Sequence, residues 1–173
     1  MVKDDARRTC DRPIAKIRLT LKGEDSMLIG LDRRFTAELL HCLALLGHGD
    51  EIIIADSNFP SHAIADESVF GRAIELPGMT ATEAIELITQ LMPLDDFVPY
   101  GALRMEQDGH PDLMTDVHKE VFAALEKAKP EKVGLGSIER QDFYTRAKKS
   151  FAVVRTGEKR AYGCFILRMG VVF

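Results

Sequence analysis

A continuous apolar run, Glu51-Ile-Ile-Ile-Ala55, lies between two polar turns, Gly47-His-Gly-Asp50 and Asp56-Ser-Asn-Phe-Pro60. Successive side chains of a strand point to opposite faces, so consecutive isoleucines leave this one no polar side for water. Such a strand needs a covering layer on each face. The run therefore predicts an interior strand of a sheet packed on both sides.

The flanking sequence supplies the covering elements. Phe35, Leu39, Leu40, Leu43 and Leu46 recur at spacings of three and four, one stripe of an amphipathic helix. Gly47 is expected to end that helix by adopting the left-handed conformation. Thr80-Ala-Thr-Glu83 is a capping box, opening a helix that turns Ile85, Ile88, Leu91 and Met92 inward and ends at Pro93. Phe97 to Met105 reads as a strand interrupted at Pro99-Tyr-Gly101, and Leu113 to Ala128 as a helix with Val117, Val121, Ala124 and Leu125 on one side. Lys132 to Ser137 reads as a short strand and Glu139 to Lys149 as a helix. Phe151 to Arg155 and Ala161 to Arg168, joined through Thr156-Gly-Glu-Lys159, read as a hairpin, with a crossed arrangement as the alternative. Helices and strands interleave, so the class is α/β: a single domain with a mostly parallel central sheet flanked by helices.

Residues 1–26 differ from the rest of the chain. They are charge-rich and without sustained period, lacking the apolar core of a secretory signal. They read as an N-terminal extension, partly disordered or an over-called start, with Ile14 to Leu21 alternating as an edge strand would. Residues 27–173 form the domain.

Composition narrows the function classes. Among 173 residues, 23 Lys+Arg stand against 27 Asp+Glu, a net charge of −4. That is the wrong balance for a nucleic-acid binder, which gathers basic charge on one face. No apolar stretch approaches the roughly 20 residues of a membrane helix. Cys10, Cys42 and Cys164 are too few and too scattered for a disulfide framework and read as reduced thiols of a cytoplasmic protein.

The polar residues cluster around the isoleucine strand. Asp56 lies at its carboxyl end, where ligands collect in open α/β sheets; the alternative is that Asp56 caps the turn before Pro60. His48 sits between two glycines that let the backbone bring an imidazole close to a ligand, and its ordinary pKa near 6.5 suits proton transfer. With His62, these residues are expected to converge around one strand. Arg140 and Tyr144, four apart on a predicted helix, project from one face and suit vicinal hydroxyls. Tyr162-Gly-Cys164 opens the last strand, where Gly163 permits close approach of backbone. His41 and His118 fall within predicted helices and His110 precedes a proline; none has a polar cluster around it. No phosphate-binding glycine loop, GxSxG, CxxC or HExxH pattern is present.

Three blocks together resemble the fucose mutarotase and ribose pyranase family (RbsD/FucU-like): ELLHCLALLGHGDEIIIADSNFPSH from Glu38 to His62, RQDFYTRAKKSFAVVRTGE from Arg140 to Glu158, and YGCFILRMG from Tyr162 to Gly170. The resemblance extends from Met27 to Val171. It implies an RbsD-like α/β fold assembled into a homo-oligomeric ring, commonly a decamer of two stacked pentamers, with sites between neighbouring subunits. It also implies interconversion of the anomers or ring forms of a free monosaccharide, with no metal or other cofactor. The family's catalytic histidine falls on His48 and its substrate-binding aspartate on Asp56. Arg140, where the ribose branch has a histidine, and Tyr144 point to the fucose branch. The family's usual Tyr-Gly-Asn is here Tyr162-Gly163-Cys164.

Mutarotation needs only groups that titrate near neutrality, which agrees with the residue inventory. His48 is expected to transfer the proton at the anomeric centre. Asp56 would orient the sugar, while Arg140, Tyr144, Tyr162, Cys164 and His62 would line the substrate site. Two rivals stand beside this expectation. One is a metal-dependent hydrolase built on His48, Asp50, Asp56 and His62; the other is a monosaccharide-binding protein without catalysis.

Overall fold

The structure, a computed structural model, describes residues 28–172. Two compact units divide at Arg33. In the first, residues 28–33 form a turn in which Gly30 takes φ 84°. The expected edge strand Ile14 to Leu21, and Cys10, lie outside the described residues. The unit Arg34–Phe173 carries the helices and the sheet.

Its strands are β1 (Glu51–Ala55), β2 (Ala73–Leu76), β3 (Tyr100–Met105), β4 (Gly134–Ile138), β5 (Ala152–Thr156) and β6 (Phe165–Arg168). They form one mixed sheet in the order β2-β5-β1-β6-β3-β4. β1, β2 and β5 are mutually parallel, as are β3 and β4, and β6 runs antiparallel to both β1 and β3. Five strands thus point one way. Their carboxyl ends share one edge of the sheet.

β1 is buried on both faces, as its composition requires. Ile52 and Ile54 pack with Leu39 and Cys42 of α1 (Ala37–Leu45), Ile85 and Ile88 of α3 (Ala81–Ile88) and Val121 of α4 (Asp116–Ala128). Ile53 and Ala55 pack on the other side, against Ile64 of α2 (Ser61–Ala65) and Phe143 of α5 (Arg140–Ala147). All three isoleucines are fully buried, each contributing ~1.5–3 kcal/mol by the area it removes from water.

Several sequence expectations hold locally. The capping box at Thr80 forms, with the hydroxyl accepting the Glu83 amide and the Glu83 carboxylate accepting the Thr80 amide. Glu139 caps α5 and Thr115 caps α4, two caps beyond those expected. Others are corrected. The hairpin does not form: β1 lies between β5 and β6, the crossed arrangement. A hairpin would leave one edge of β1 without those hydrogen bonds, which the buried strand cannot forgo. The segment Gly157 to Cys164 instead crosses over the end of β1. Gly47 does not take the left-handed conformation either. α1 ends at Leu45, Leu46 turns extended at φ −64° and ψ 136°, and Gly49 adopts φ 89°. α2 and β2 are additions that the sequence pattern does not announce. Among the described residues no helix is long and apolar enough to cross a membrane.

Candidate functional site

The carboxyl edge of the sheet is concave. Asp56 follows directly on β1 and is almost fully buried. Its Oδ1 accepts the amides of Asn58 (2.9 Å) and Phe59 (3.0 Å), so the carboxylate does cap its own turn. The Cys164 thiol lies beside the same carboxylate. Capping and ligand binding are compatible roles for one side chain: the turn holds the carboxylate rigid through Oδ1, and the residue still lines a cavity.

A cavity of about 300 Å³ opens beside it, at the small end of the range for ligand pockets. Asp56, Arg140, Tyr144, Tyr162 and Cys164 all line it, together with Phe59 and Met105. Arg140 opens α5 directly after β4, and its Nε donates to Asp108 Oδ1 at 2.7 Å. The guanidinium stands 6.0 Å from the Tyr144 ring centroid, and that ring packs 5.0 Å from Phe59. Burial raises the Tyr144 phenol above its ordinary pKa, helped by Cys164 and Asp56 and opposed by Arg140. Cys164 immediately precedes β6, and its sulfur accepts the Asp56 amide at 3.5 Å. Burial, then the neighbouring Asp56, pushes the thiol well above its usual value, so it faces the cavity neutral. Two carboxylates (Asp56 and Asp108), one guanidinium, two phenols and an aromatic wall suit a small polyhydroxylated ligand with an apolar face.

His48 lies at the other edge. β1 has five residues, and at about 3.3 Å per residue that strand alone separates His48 from Asp56 by roughly 16 Å. Within one chain the expected convergence of His48 and Asp56 does not occur. His48 Nε2 lies 3.1 Å from Asp95 Oδ1. Asp95 is fully buried, accepts the Phe97 amide at 3.0 Å on the same oxygen, and receives Arg168 Nε at 2.9 Å on the other. Burial raises the Asp95 carboxyl, but those three hydrogen bonds outweigh it and hold the pKa below the usual value. A carboxylate only accepts, so Nε2 carries the proton and Nδ1 is left basic. The His48 side chain is 48% exposed, with the Phe97 ring packed edge-on at 5.4 Å.

His62 does not join the cavity. It stands on the surface of α2, 71% exposed, with Nε2 3.3 Å from Glu75 Oε1. The four ligands of the hydrolase rival are divided between the two ends of β1, and Asp50 is occupied by the Gly47 amide at 2.8 Å. Among the described residues no group of three or more His, Cys, Asp or Glu is disposed to hold a metal ion. Two site residues escape the sequence reading. Asp108 lies just past β3, where the rule that leads to Asp56 would also find it. Asp95 is 47 positions from His48, and no local spacing relates them.

Residues 30–172 match the RbsD / FucU transport protein family. The chain belongs to that family. The fucose mutarotase of Homo sapiens is 41% identical over 148 residues, covering 84% of this chain and 94% of that protein. The L-fucose mutarotase of Haemophilus influenzae is 39% identical over 145 residues, covering 84% and 97%. The crystal structure of the fucose mutarotase from Streptococcus pneumoniae in complex with L-fucose superposes with a TM-score of 0.74 at 32% identity, covering 84% of this chain and 100% of that one. RbsD/FucU membership accords with the single α/β domain and its mixed six-stranded sheet.

Proposed function

We propose that this RbsD/FucU protein is a sugar mutarotase that interconverts the anomers of a free monosaccharide, L-fucose foremost. The observation that carries the reading is the cavity, in which Asp56, Arg140, Tyr144, Tyr162 and Cys164 come together from segments scattered over more than a hundred residues. The names of the human, Haemophilus and Streptococcus relatives support the reaction class.

The chemistry rests on the groups present. A proton leaves the anomeric hydroxyl for His48 Nδ1, the bond from the anomeric carbon to the ring oxygen breaks, and His48 returns the proton, relayed by water, to that oxygen as the aldehyde forms. The aldehyde turns its other face and the steps reverse. The Asp56 carboxylate accepts a sugar hydroxyl, Arg140, Tyr144 and Tyr162 bind others, and Phe59 covers the apolar face of a 6-deoxy sugar. No step calls for a group that titrates far from neutrality.

Because β1 keeps His48 and Asp56 of one chain apart, the reading includes a homo-oligomer in which His48 of a neighbouring copy reaches the cavity. The surface around His48 supports such contact: Leu45 and Phe97 are 54% and 63% exposed, and the imidazole that Asp95 aligns is itself half exposed.

The test is saturation-transfer proton NMR on the anomeric signals of L-fucose, with and without protein, repeated in EDTA and then with D-ribose. Protein-dependent exchange that survives EDTA is expected. Exchange at the buffer rate for both sugars would defeat the mutarotase reading, and sugar binding without faster exchange would favour a carrier role.

A further inference from the structure

His118 is a buried histidine with no part in the proton transfer at the anomeric centre. It occupies the first turn of α4 with no solvent exposure, its ring edge-on to Phe165 at 5.9 Å. Nδ1 accepts the Thr115 amide at 3.3 Å, which is possible only if that nitrogen carries no proton. Nε2 therefore bears the hydrogen, and it donates to the carbonyl of Tyr162 at 2.9 Å. Both nitrogens are satisfied, as a buried imidazole demands. Burial pushes the pKa of His118 below its ordinary value, against the pull of the Tyr162 carbonyl, so the ring remains neutral.

Tyr162 is unusual in its own right. Among the described residues it is the one non-glycine with positive φ, at 61°, a conformation that is costly for a residue with a Cβ. Gly163 follows, where a Cβ would come within 2.8 Å of Glu158 and 3.4 Å of Asp56. The chain is thus bent sharply at the point where it delivers the Tyr162 ring and the Cys164 thiol to the cavity. The direction of the Tyr162 carbonyl is set by that bend, and His118 is what receives it. The same loop is tied to α4 a second time, through Arg160 and Glu120 at 2.8 Å.

We propose that His118 is a positioning residue for the sugar site: its Nε2–H fixes the left-handed backbone of Tyr162 and so aims the tyrosine into the cavity. The inference rests on the mutarotase reading for its activity readout. A hydrogen bond of this kind acts on ground-state sugar binding more than on proton transfer, because His48 and not Tyr162 handles the proton.

Two polar substitutions separate the two nitrogens. In His118→Asn the side-chain oxygen can still accept the Thr115 amide, but the side chain is too short to reach Tyr162. In His118→Gln the terminal amide recovers that reach. His118→Asn is expected to raise KM for anomer exchange about tenfold with kcat changed less than about threefold, and His118→Gln to stay near wild type in both. Unchanged KM in His118→Asn, or equal impairment of the two variants, would overturn the proposal, as would a fall in Tm with no change in KM. An independent readout is nitrogen-15 NMR of the histidines in the wild-type protein at neutral pH. The Nε2–H form of His118 with a slowly exchanging proton is expected, and the Nδ1–H form would overturn the assignment. If the wild type exchanges neither sugar, the mutarotase reading falls, and the NMR result still decides the role of His118.

Discussion

The two edges of the sheet differ in how they hold their polar groups. At the carboxyl edge, loops after β1, β3 and β4 and the one entering β6 curl around a cavity, and their side chains point inward: Asp56, Arg140, Tyr144, Cys164. At the amino edge, Asp95, Arg168, Glu51 and Arg146 form a chain of charge-assisted hydrogen bonds packed into the surface, with His48 held at its end and half exposed. The first edge is shaped to enclose a ligand but has no histidine in its lining. The second aligns an imidazole against a buried carboxylate and leaves it half exposed. On the proposed reading, a complete site takes one edge from each of two copies.

The sharpest way to break this comparison is to mix damaged copies. His48→Ala and Asp56→Asn are each expected to lose 10²- to 10⁴-fold in exchange rate, the range of a positioned acid–base group for the first. If the sites are shared, denaturing the two variants together and refolding them should restore about a quarter of wild-type activity, because random pairing leaves about that share of sites intact. No recovery, with both variants folded and assembled, would return the site to a single chain and contradict the separation along β1.

A smaller effect is expected at the buried partner of His48. Asp95→Asn keeps the shape but offers an amide that can donate, freeing the imidazole to adopt the other tautomer, and should cost about 10–100-fold in rate. The substitution also has a pH signature. The folded-state pKa of Asp95 lies below the ordinary value of 3.8, so its contribution to stability is complete above that value and is lost as pH falls beneath it. Denaturant melts across the acid range should find the gap between wild type and Asp95→Asn narrowing below pH 3.8; a constant gap would contradict the network.

The least disturbance is expected from the thiols. Burial raises Cys42 to about 12 and Cys164 well above its usual value, so neither is a thiolate at neutral pH. Iodoacetamide should leave both unmodified in the folded protein and label both in urea, as read by mass spectrometry. Rapid labelling of Cys164 in the native state would mean that the carboxyl edge is more open than its packing implies.

Much of this can be read from residue order. The isoleucine run demands a doubly covered strand, the capping box at Thr80 forms as spaced, and a carboxylate after a buried strand faces a cavity. These depend on neighbours within a few positions, where backbone geometry translates directly into placement. The misreadings are all of another kind. β5 and β6 look like a hairpin because they are adjacent in sequence, whereas the buried edges of β1 decide the pairing. Gly47 looks like a helix terminator, but Leu46 ends the helix extended and the positive φ moves to Gly49, against which Arg168 packs. β2 escapes notice because Ala73-Ile-Glu-Leu76 is short and becomes a strand through pairing with β5.

The sequence by itself determined the class of fold, the interior position of β1, and the chemical kinds of side chain available at its two ends. Tertiary structure decided which of them meet. Strand order brings Cys164 against Asp56 across 108 positions and His118 against Tyr162 across 44, and strand length holds His48 away from both Asp56 and the cavity. Local sequence sets the direction in which a side chain leaves the backbone; its neighbour in space is set by how buried strands find partners on both edges, a condition satisfied by the whole sheet at once.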